Sequence, residues 1–449
     1  MSAFRRIGFA TAATSLVLGT GLGLPEAASA ASGTSNCTVD SVTKAQDQNA
    51  PPWEITAANP SHLDNLSGAN MTGTGVKVAV IDTGIAQQGQ LSVPKGAVFN
   101  GESGFNADDD GHGTMVASII AAKKGGNGMQ GIAPDVTLYS MREAGCKAPQ
   151  GSGNTEGAMA SAINQAVQDG VDVINISQDG YDPDTSLSAA VQNAYRHGVV
   201  VVTSAGNQGD RDTTDDGGTD LGVDPTTYPA SYTPYVLAVG AVDQYGTVPT
   251  FSETGNSKAG YYIGVVAPGV GVEGLLPNGT LAFDDGTSFS APYVAAEAAL
   301  IIEEHHWEGT GSDVANSSRA YEVMKIIEAT ADGNGGYSDS KGWGEVSISA
   351  ALSAQLGSGD SLIAPGGKIP GLTPLLGAGP NNDGAAVASS TGDRTIVKPY
   401  VAAAVNEEQQ HQQRWAYIAL GTALLVAFVA LAGSAVARDA ARRRTGTRP

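Results

Sequence analysis

The chain has 449 residues, 41% hydrophobic, 15% charged and 6% aromatic, a length that suits one large domain with appendages or two domains. Lys+Arg 24 against Asp+Glu 45 gives a formal net charge of −21, which argues against nucleic acid or an anionic lipid surface as the main partner. Two cysteines rule out a disulfide-rich scaffold and a four-cysteine zinc site but permit one bridge, while Gly 60 and Pro 21 predict many loops or a linker.

In chain order, Arg5 and Arg6 precede an apolar run from Ile7 to Leu24, followed by Ala28-Ser29-Ala30. Charged start, apolar middle and small residues before a cut predict a secretory signal peptide over residues 1–30, with an uncleaved anchor as the alternative. Residues 31–70 form an irregular N-terminal extension containing Pro51-Pro52-Trp53. Residues 71–353 read as the globular body. Its strand candidates are Val76–Ile81, Val136–Met141, Val171–Ile176, Val199–Thr203, Val236–Val242 and Ile263–Ala267, most of them continuously apolar as strands covered on both faces are. Helical patterns intervene at His112–Ala122, Thr155–Gln168, Leu187–His197 and Ser288–Glu304. The alternation predicts a three-layer α/β domain with a mostly parallel central sheet and right-handed crossovers.

Residues 354–414 are rich in Gly, Pro, Ser and Ala and read as a tether. Trp415–Ala437 then carries no charged residue, and about 20 residues suffice to cross a ~30 Å hydrocarbon core. Arg414 lies before this segment, while Arg438, Arg442, Arg443, Arg444 and Arg448 crowd the tail at 438–449. One C-terminal transmembrane helix is predicted, its C-terminus cytoplasmic and the body outside the cell membrane.

Ligands of a parallel sheet bind beyond the carboxyl ends of its strands, so polar residues there carry the search. The first strand runs into Asp82-Thr83-Gly84. His112, flanked by Gly111 and Gly113, opens a helix of small residues, and Ser288 in GTSFSAP sits where a helix N-terminus offers free N–H groups. Ser204-Ala205-Gly206-Asn207 follows the strand VVVVT and places an amide at another carboxyl end. Taken singly, each has a plainer reading as a turn residue or helix cap. Their order Asp, His, Ser is that of one of the convergent catalytic triads.

The strings VAVIDTG, DGHGTMVASIIA, SAGN and GTSFSAPYVA resemble the subtilisin-like serine proteases, as do Gly131-Ile132-Ala133-Pro134, Val266-Ala267-Pro268-Gly269 and Gly342-Trp343-Gly344-Glu345-Val346. An α/β-hydrolase is disfavoured by the triad order and by Ser290 at the second glycine of its nucleophile motif. The resemblance spans about residues 70–353 and implies a subtilisin-like fold, a polypeptide substrate and no cofactor or metal. It implies Asp82, His112 and Ser288 as catalytic residues and Asn207 as an oxyanion-hole donor. Substrate would lie along two backbone edges, Ser177-Gln178-Asp179-Gly180 and Ser204-Ala205-Gly206. Gln178 and Asp179 depart from the apolar or small residues expected there, and imply a more polar cleft with a narrower substrate range.

Signal peptide, Pro-Pro-Trp extension, linker and single span together resemble the mycosins, membrane-anchored proteases of type VII secretion systems. That likeness implies processing of a secreted substrate and contact with membrane subunits of a secretion complex. A mainly structural role in that complex and a general cell-surface protease are the alternatives. The extension would stay attached, with Cys37 and Cys146 bridging it to the body or remaining as free thiols. Asp108-Asp109-Asp110 and the acids from Asp210 to Asp216 read as solvated acidic loops rather than calcium sites.

Overall fold

The main sheet is built from seven strands: β1 (Lys77–Asp82), β2 (Lys95–Val98), β3 (Thr137–Arg142), β4 (Val173–Ile176), β5 (Val200–Ser204), β8 (Leu237–Val242) and β9 (Val265–Pro268). Their order is β2-β3-β1-β4-β5-β8-β9, every neighbouring pair parallel. The computed structural model describes residues 71–145, 155–214, 220–256, 261–309, 316–332, 336–357 and 361–363. Signal peptide, N-terminal extension, most of the linker, the 415–437 span, the basic tail and both cysteines lie outside the described residues.

The central strands are buried along their whole length because both faces are covered. Ala79, Ile81, Tyr139, Met141, Ile174, Ile176 and Val201 face α2 (Thr155–Gln168) and α3 (Thr185–Arg196) in one core cluster. On the opposite side α1 (His112–Ala121) packs on α4 (Thr287–Glu304), and α4 also lies against β4, β5, β8 and β9. This is the predicted three-layer architecture. Strand β1 lies between β3 and β4, so the chain reverses its winding beside β1, and a crevice opens at the carboxyl ends of β1 and β4.

Several elements lie outside the sequence-based expectation. Edge strand β2, KGAV, is half exposed and carries Lys and Gly, so it has no apolar run. The hairpin β10 (Val272–Leu275) and β11 (Leu281–Asp284) turns at Asn278-Gly279, and β6 (Thr213–Thr214) pairs with β7 (Asp220–Gly222). Helix α5 (Asn316–Thr330) buries Ala320, Val323, Met324 and Ile327, an i, i+3, i+4, i+7 stripe that periodicity could have found. The short α6 (Ile348–Leu352) ends the body. A second unit contains the antiparallel pair β12 (Gln355–Gly357) and β13 (Ser361–Ile363), so regular structure enters the stretch expected to be a tether. Among the described residues, no helix is long and apolar enough to cross a membrane.

A buried ion pair ties the start of the sheet to α5. Arg319 Nη1 donates to Asp172 Oδ1 (2.8 Å) and to the Trp307 carbonyl (2.8 Å), and its Nε donates to the Gly198 carbonyl (2.8 Å). Asp172 also accepts from the Lys77 and Gly309 amides. Removing one partner of a buried, fully bonded pair strands the other charge, at a cost of about 3–5 kcal/mol. Arg319→Met is therefore expected to lower unfolding free energy by that amount in urea titration. Lys123→Met, at the exposed Lys123–Asp135 pair, should cost under about 1 kcal/mol. Equal losses in the two variants would show that Arg319 is not the pin described.

Candidate active site

The carboxyl end of β1 delivers Asp82 at zero exposure into the crevice. Its Oδ1 accepts from the Thr83 amide (2.7 Å) and meets His112 Nδ1 at 2.8 Å. Close approach of α1 to β1 demands a glycine after the histidine, because a Cβ on Gly113 would stand 2.1 Å from the Gly84 carbonyl oxygen. Burial alone would depress the His112 pKa, but Asp82, aided by Asp110 and Asp284, outweighs it and raises it to about 9.

In the acidic triplet before His112, expected to be a solvated loop, Asp109 is exposed and Asp110 half-buried, but Asp108 is not solvated. Asp108 is buried and accepts from Thr83 Oγ1, the Gly111 amide, and both the amide and hydroxyl of Thr114. Asp110 accepts from the His112 amide (3.2 Å), and Asp109 pairs with Arg142 (3.1 Å). The Asp108 and Asp110 carboxylates satisfy free N–H groups of the first turn of α1 and fix the loop that carries the imidazole.

Ser288 is the second residue of α4, and Phe289 after it lies 5.4 Å from the His112 ring, centroid to centroid. Among the described residues the Ser288 hydroxyl makes no hydrogen bond to that ring, a contact that commonly tightens only when substrate binds. Gly286 donates to the Gly269 carbonyl (2.8 Å) and Ser290 Oγ to the Ala267 carbonyl (3.1 Å), which explains the Val266–Gly269 string as the anchor of this helix start.

Pro292 lies inside α4 and has no N–H for the carbonyl four residues back, which is that of Ser288. Ser177 Oγ donates to that carbonyl instead, at 2.7 Å. Thus a residue expected to line the substrate edge also docks the end of β4 on the serine-bearing turn. Asn207, after β5, is held similarly: its Oδ1 accepts from Thr287 N (2.9 Å) and Thr287 Oγ1 (3.0 Å). With the carbonyl side of the amide occupied, Nδ2 is left to face the Gly286–Ser288 turn, 3.6 Å from where a Gly286 Cβ would be.

Residues 73–344 match the subtilase family of peptidases. The chain belongs to the subtilase family. It is 40% identical over 243 residues to subtilisin DY of Bacillus licheniformis, covering 54% of this chain and 82% of that protein. To subtilisin Savinase of Lederbergia lenta it is 36% identical over 254 residues, 57% of this chain and 85% of the relative. Among solved structures, the MycP3 protease from the type VII (ESX-3) secretion system superposes with a TM-score of 0.57 at 30% identity, covering 70% of this chain and 90% of that one. MycP1 from Mycobacterium smegmatis gives a TM-score of 0.57 at 28% identity, covering 71% and 88%. The protein is a subtilisin-like serine endopeptidase whose structural neighbours include mycosins.

In this subtilase the two expected substrate edges follow adjacent strands. Residues 177–180 continue β4 and residues 204–206 start at the last residue of β5, with Ile176 opposite Thr203 in the register. Gly180 exchanges hydrogen bonds with Tyr228 (3.0 and 2.8 Å), and Thr227 Oγ1 donates to the Ala205 carbonyl. The Thr227–Tyr228 segment therefore closes the floor between the two edges. On the first edge Gln178 is half-buried and Asp179 exposed.

Glu253, which no sequence pattern singled out, lies at zero exposure behind the second edge. Its carboxyl fills the space beside Gly206, where a Cβ would come within 2.4 Å of the carboxyl carbon, and Gly206 itself has φ +116°. Burial, and next the Asp179 charge, push its pKa up to about 9.

The Ser177–Ser288 bond is testable by a double-mutant cycle. Ser177→Ala leaves the part-buried Ser288 carbonyl without this donor, at a cost of about 1–3 kcal/mol. Pro292→Ala restores an N–H in helical register with that carbonyl, so the same Ser177 substitution should cost clearly less in the Pro292→Ala background. Urea unfolding of the four proteins measures this. Losses that add to within about 0.5 kcal/mol would show that Ser177 and Pro292 are not coupled through that carbonyl.

Proposed function

We propose that this subtilase is a membrane-anchored, extracytoplasmic endopeptidase of the mycosin type, in which Ser288 is the nucleophile, His112 the general base and Asp82 its orienting acid. The observation that carries the catalytic reading is the 2.8 Å contact of buried Asp82 with His112, beside the helix turn that holds Ser288 and Asn207 together. Ser288 Oγ attacks the peptide carbonyl carbon, and its proton passes to His112 Nε2. Asp82 keeps Nδ1 protonated and stabilises the imidazolium that forms. Asn207 Nδ2 and the Ser288 amide N–H hold the oxyanion, both fixed before the charge develops. Collapse breaks the C–N bond as His112 returns the proton to the leaving amine, and water repeats the sequence to release the acyl group.

The mycosin assignment draws support from likeness to MycP1 and MycP3 and from the sequence of signal peptide, linker and uncharged Trp415–Ala437 segment. In this reading the enzyme processes a substrate of a type VII secretion system and contributes to holding that membrane complex. Cys37 and Cys146 would bridge the extension to the body.

A fluorophosphonate probe applied to the full chain tests the triad. Labelling is expected for the wild type and is expected to vanish in Ser288→Ala and His112→Ala, read by intact mass. Labelling that survives Ser288→Ala would place the nucleophile elsewhere.

The pH profile supplies an independent check. His112 accepts a proton only when neutral, and Asp82 raises its pKa from 6.5 to about 9, so kcat/KM should rise with pH through the neutral and alkaline range. Asp82→Asn removes the main stabilising charge, so the limb should move to lower pH while the rate falls. A limb centred at or below 6.5 in the wild type would contradict the electrostatic role given to Asp82.

A further inference from the structure

A cavity of about 30 Å³ lies at the amino ends of β8 and β9, on the edge of the sheet opposite the catalytic crevice. It is lined by Val236 just before β8, Tyr262 just before β9, Tyr195 of α3, and Tyr321, Met324 and Glu328 of α5. Two of these rings are held by aromatic neighbours: Tyr195 meets Tyr235 edge-on at 5.5 Å, and Tyr262 meets Tyr337 at 6.0 Å. A single water needs about 10–15 Å³, so the space takes more than one water or the head of a small organic ion.

Glu328 supplies the carboxyl of this lining. Its Oε1 stands 3.3 Å from where a Cβ on Gly264 would be, beside bare backbone that also lines the cavity. The Gly264 amide donates to the Ala238 carbonyl, so it does not serve the carboxyl. Among the described residues Glu328 accepts no hydrogen bond and pairs with no cation. Lys325, one turn earlier on α5, turns to Glu322 (3.5 Å) and to the Tyr321 ring (5.2 Å) instead. Burial pushes the Glu328 pKa up to about 8, with no opposing charge to hold it down. A carboxyl taken from water without a donor is costly to keep.

What the cavity lacks is a positive group. Aromatic rings attract cations, and a carboxylate with both oxygens open accepts charge-assisted bonds from N–H donors, which favours a primary over a quaternary ammonium. Val236 and Met324 suit the aliphatic stem of such a group, and a chain of net charge −21 attracts cations. We propose that this cavity binds a primary alkylammonium group, with Glu328 as its counter-ion and Tyr195, Tyr262 and Tyr321 as its aromatic lining. The site is separate from the triad and does not rest on the proteolytic reading. Free amines and lysine side chains share this chemistry.

Thermal unfolding of the full chain with n-butylammonium chloride, against equal concentrations of sodium chloride, tests the proposal. In the wild type the amine is expected to raise Tm along a saturating curve that sodium chloride does not reproduce. Glu328→Gln keeps the shape of the side chain and should weaken the apparent affinity by about tenfold or more. Tyr262→Leu should weaken it severalfold. Cleavage of a fluorogenic peptide is expected to be unchanged in Glu328→Gln, which shows that this variant is folded and that the two sites are independent. A Tm rise matched by sodium chloride, or one undiminished in Glu328→Gln, overturns the proposal. Binding seen in Lys325→Met but absent from the wild type also overturns it, because Lys325 would then already be the counter-ion. A glycine-flanked lysine peptide and its Nε-acetylated twin separate the sources. Binding about tenfold tighter than n-butylammonium and lost on acetylation supports a polypeptide lysine, and equal or weaker binding supports a free amine.

Discussion

Proline inside α4 leaves the Ser288 carbonyl without its helical donor, and the Ser177 hydroxyl takes that place. Much of the site follows from this one substitution of partners. A helix that closed its own ladder at this point would have no reason to meet β4. Because the gap exists, the end of β4 is drawn onto the serine-bearing turn, and the segment 177–180 acquires a fixed distance from Ser288. Thr287, one residue earlier, does the corresponding work for β5 through the Asn207 carboxamide. Two strand ends are thus tied to the first two residues of one helix, each by a side chain that satisfies a backbone group.

The same hydrogen-bond logic explains the histidine. Helix α1 begins with orphan N–H groups in a dry layer, and Asp108 answers them with both carboxylate oxygens while Asp110 takes the His112 amide. Burial raises the Asp108 pKa, and the hydrogen bonds from Thr114 and Gly111 work against that rise. With the backbone of α1 fixed this way, Asp82 is free to serve the imidazole side chain. Asp108 thus fixes the backbone and Asp82 tunes the imidazole, while Asp110 contributes to both.

Much of this architecture is legible in the amino-acid sequence. Runs dominated by apolar residues mark six strands to within a residue or two, since strands covered on both faces need no alternation, even where Lys77, Asp172 or Asn175 interrupts the run. Asp82, His112, Asn207 and Ser288 are legible because each follows or begins a regular element at the end where a parallel sheet binds ligands. Strand β2 is hidden by its edge position, which tolerates Lys95 and Gly96 in place of an apolar pattern. Asp108 is misread because three consecutive acids look solvated, and only the fold of α1 back against Thr83 buries the first of them. Glu253 carries no local signal at all. Its placement comes from Gly206, just after β5, whose missing side chain leaves the room that the carboxyl fills.

That last pairing bears on whether the molecule acts as an enzyme or chiefly as a structural part of a larger assembly. A buried carboxyl with one unmatched oxygen lowers stability, and a glycine at φ +116° beside it adds conformational cost through the unfolded chain. A protein kept only for its surface contacts gains nothing from either feature. Glutamine would keep the Gln208 hydrogen bond without burying an ionisable group, and a smaller side chain would relieve the crowding at Gly206. Both costs fall at Gly206, the residue before Asn207. The buried pair of Asp172 with Arg319, away from the cleft, is by contrast fully bonded. Strain and an unmatched polar group placed beside a candidate oxyanion donor are the pattern of a site shaped for binding and turnover.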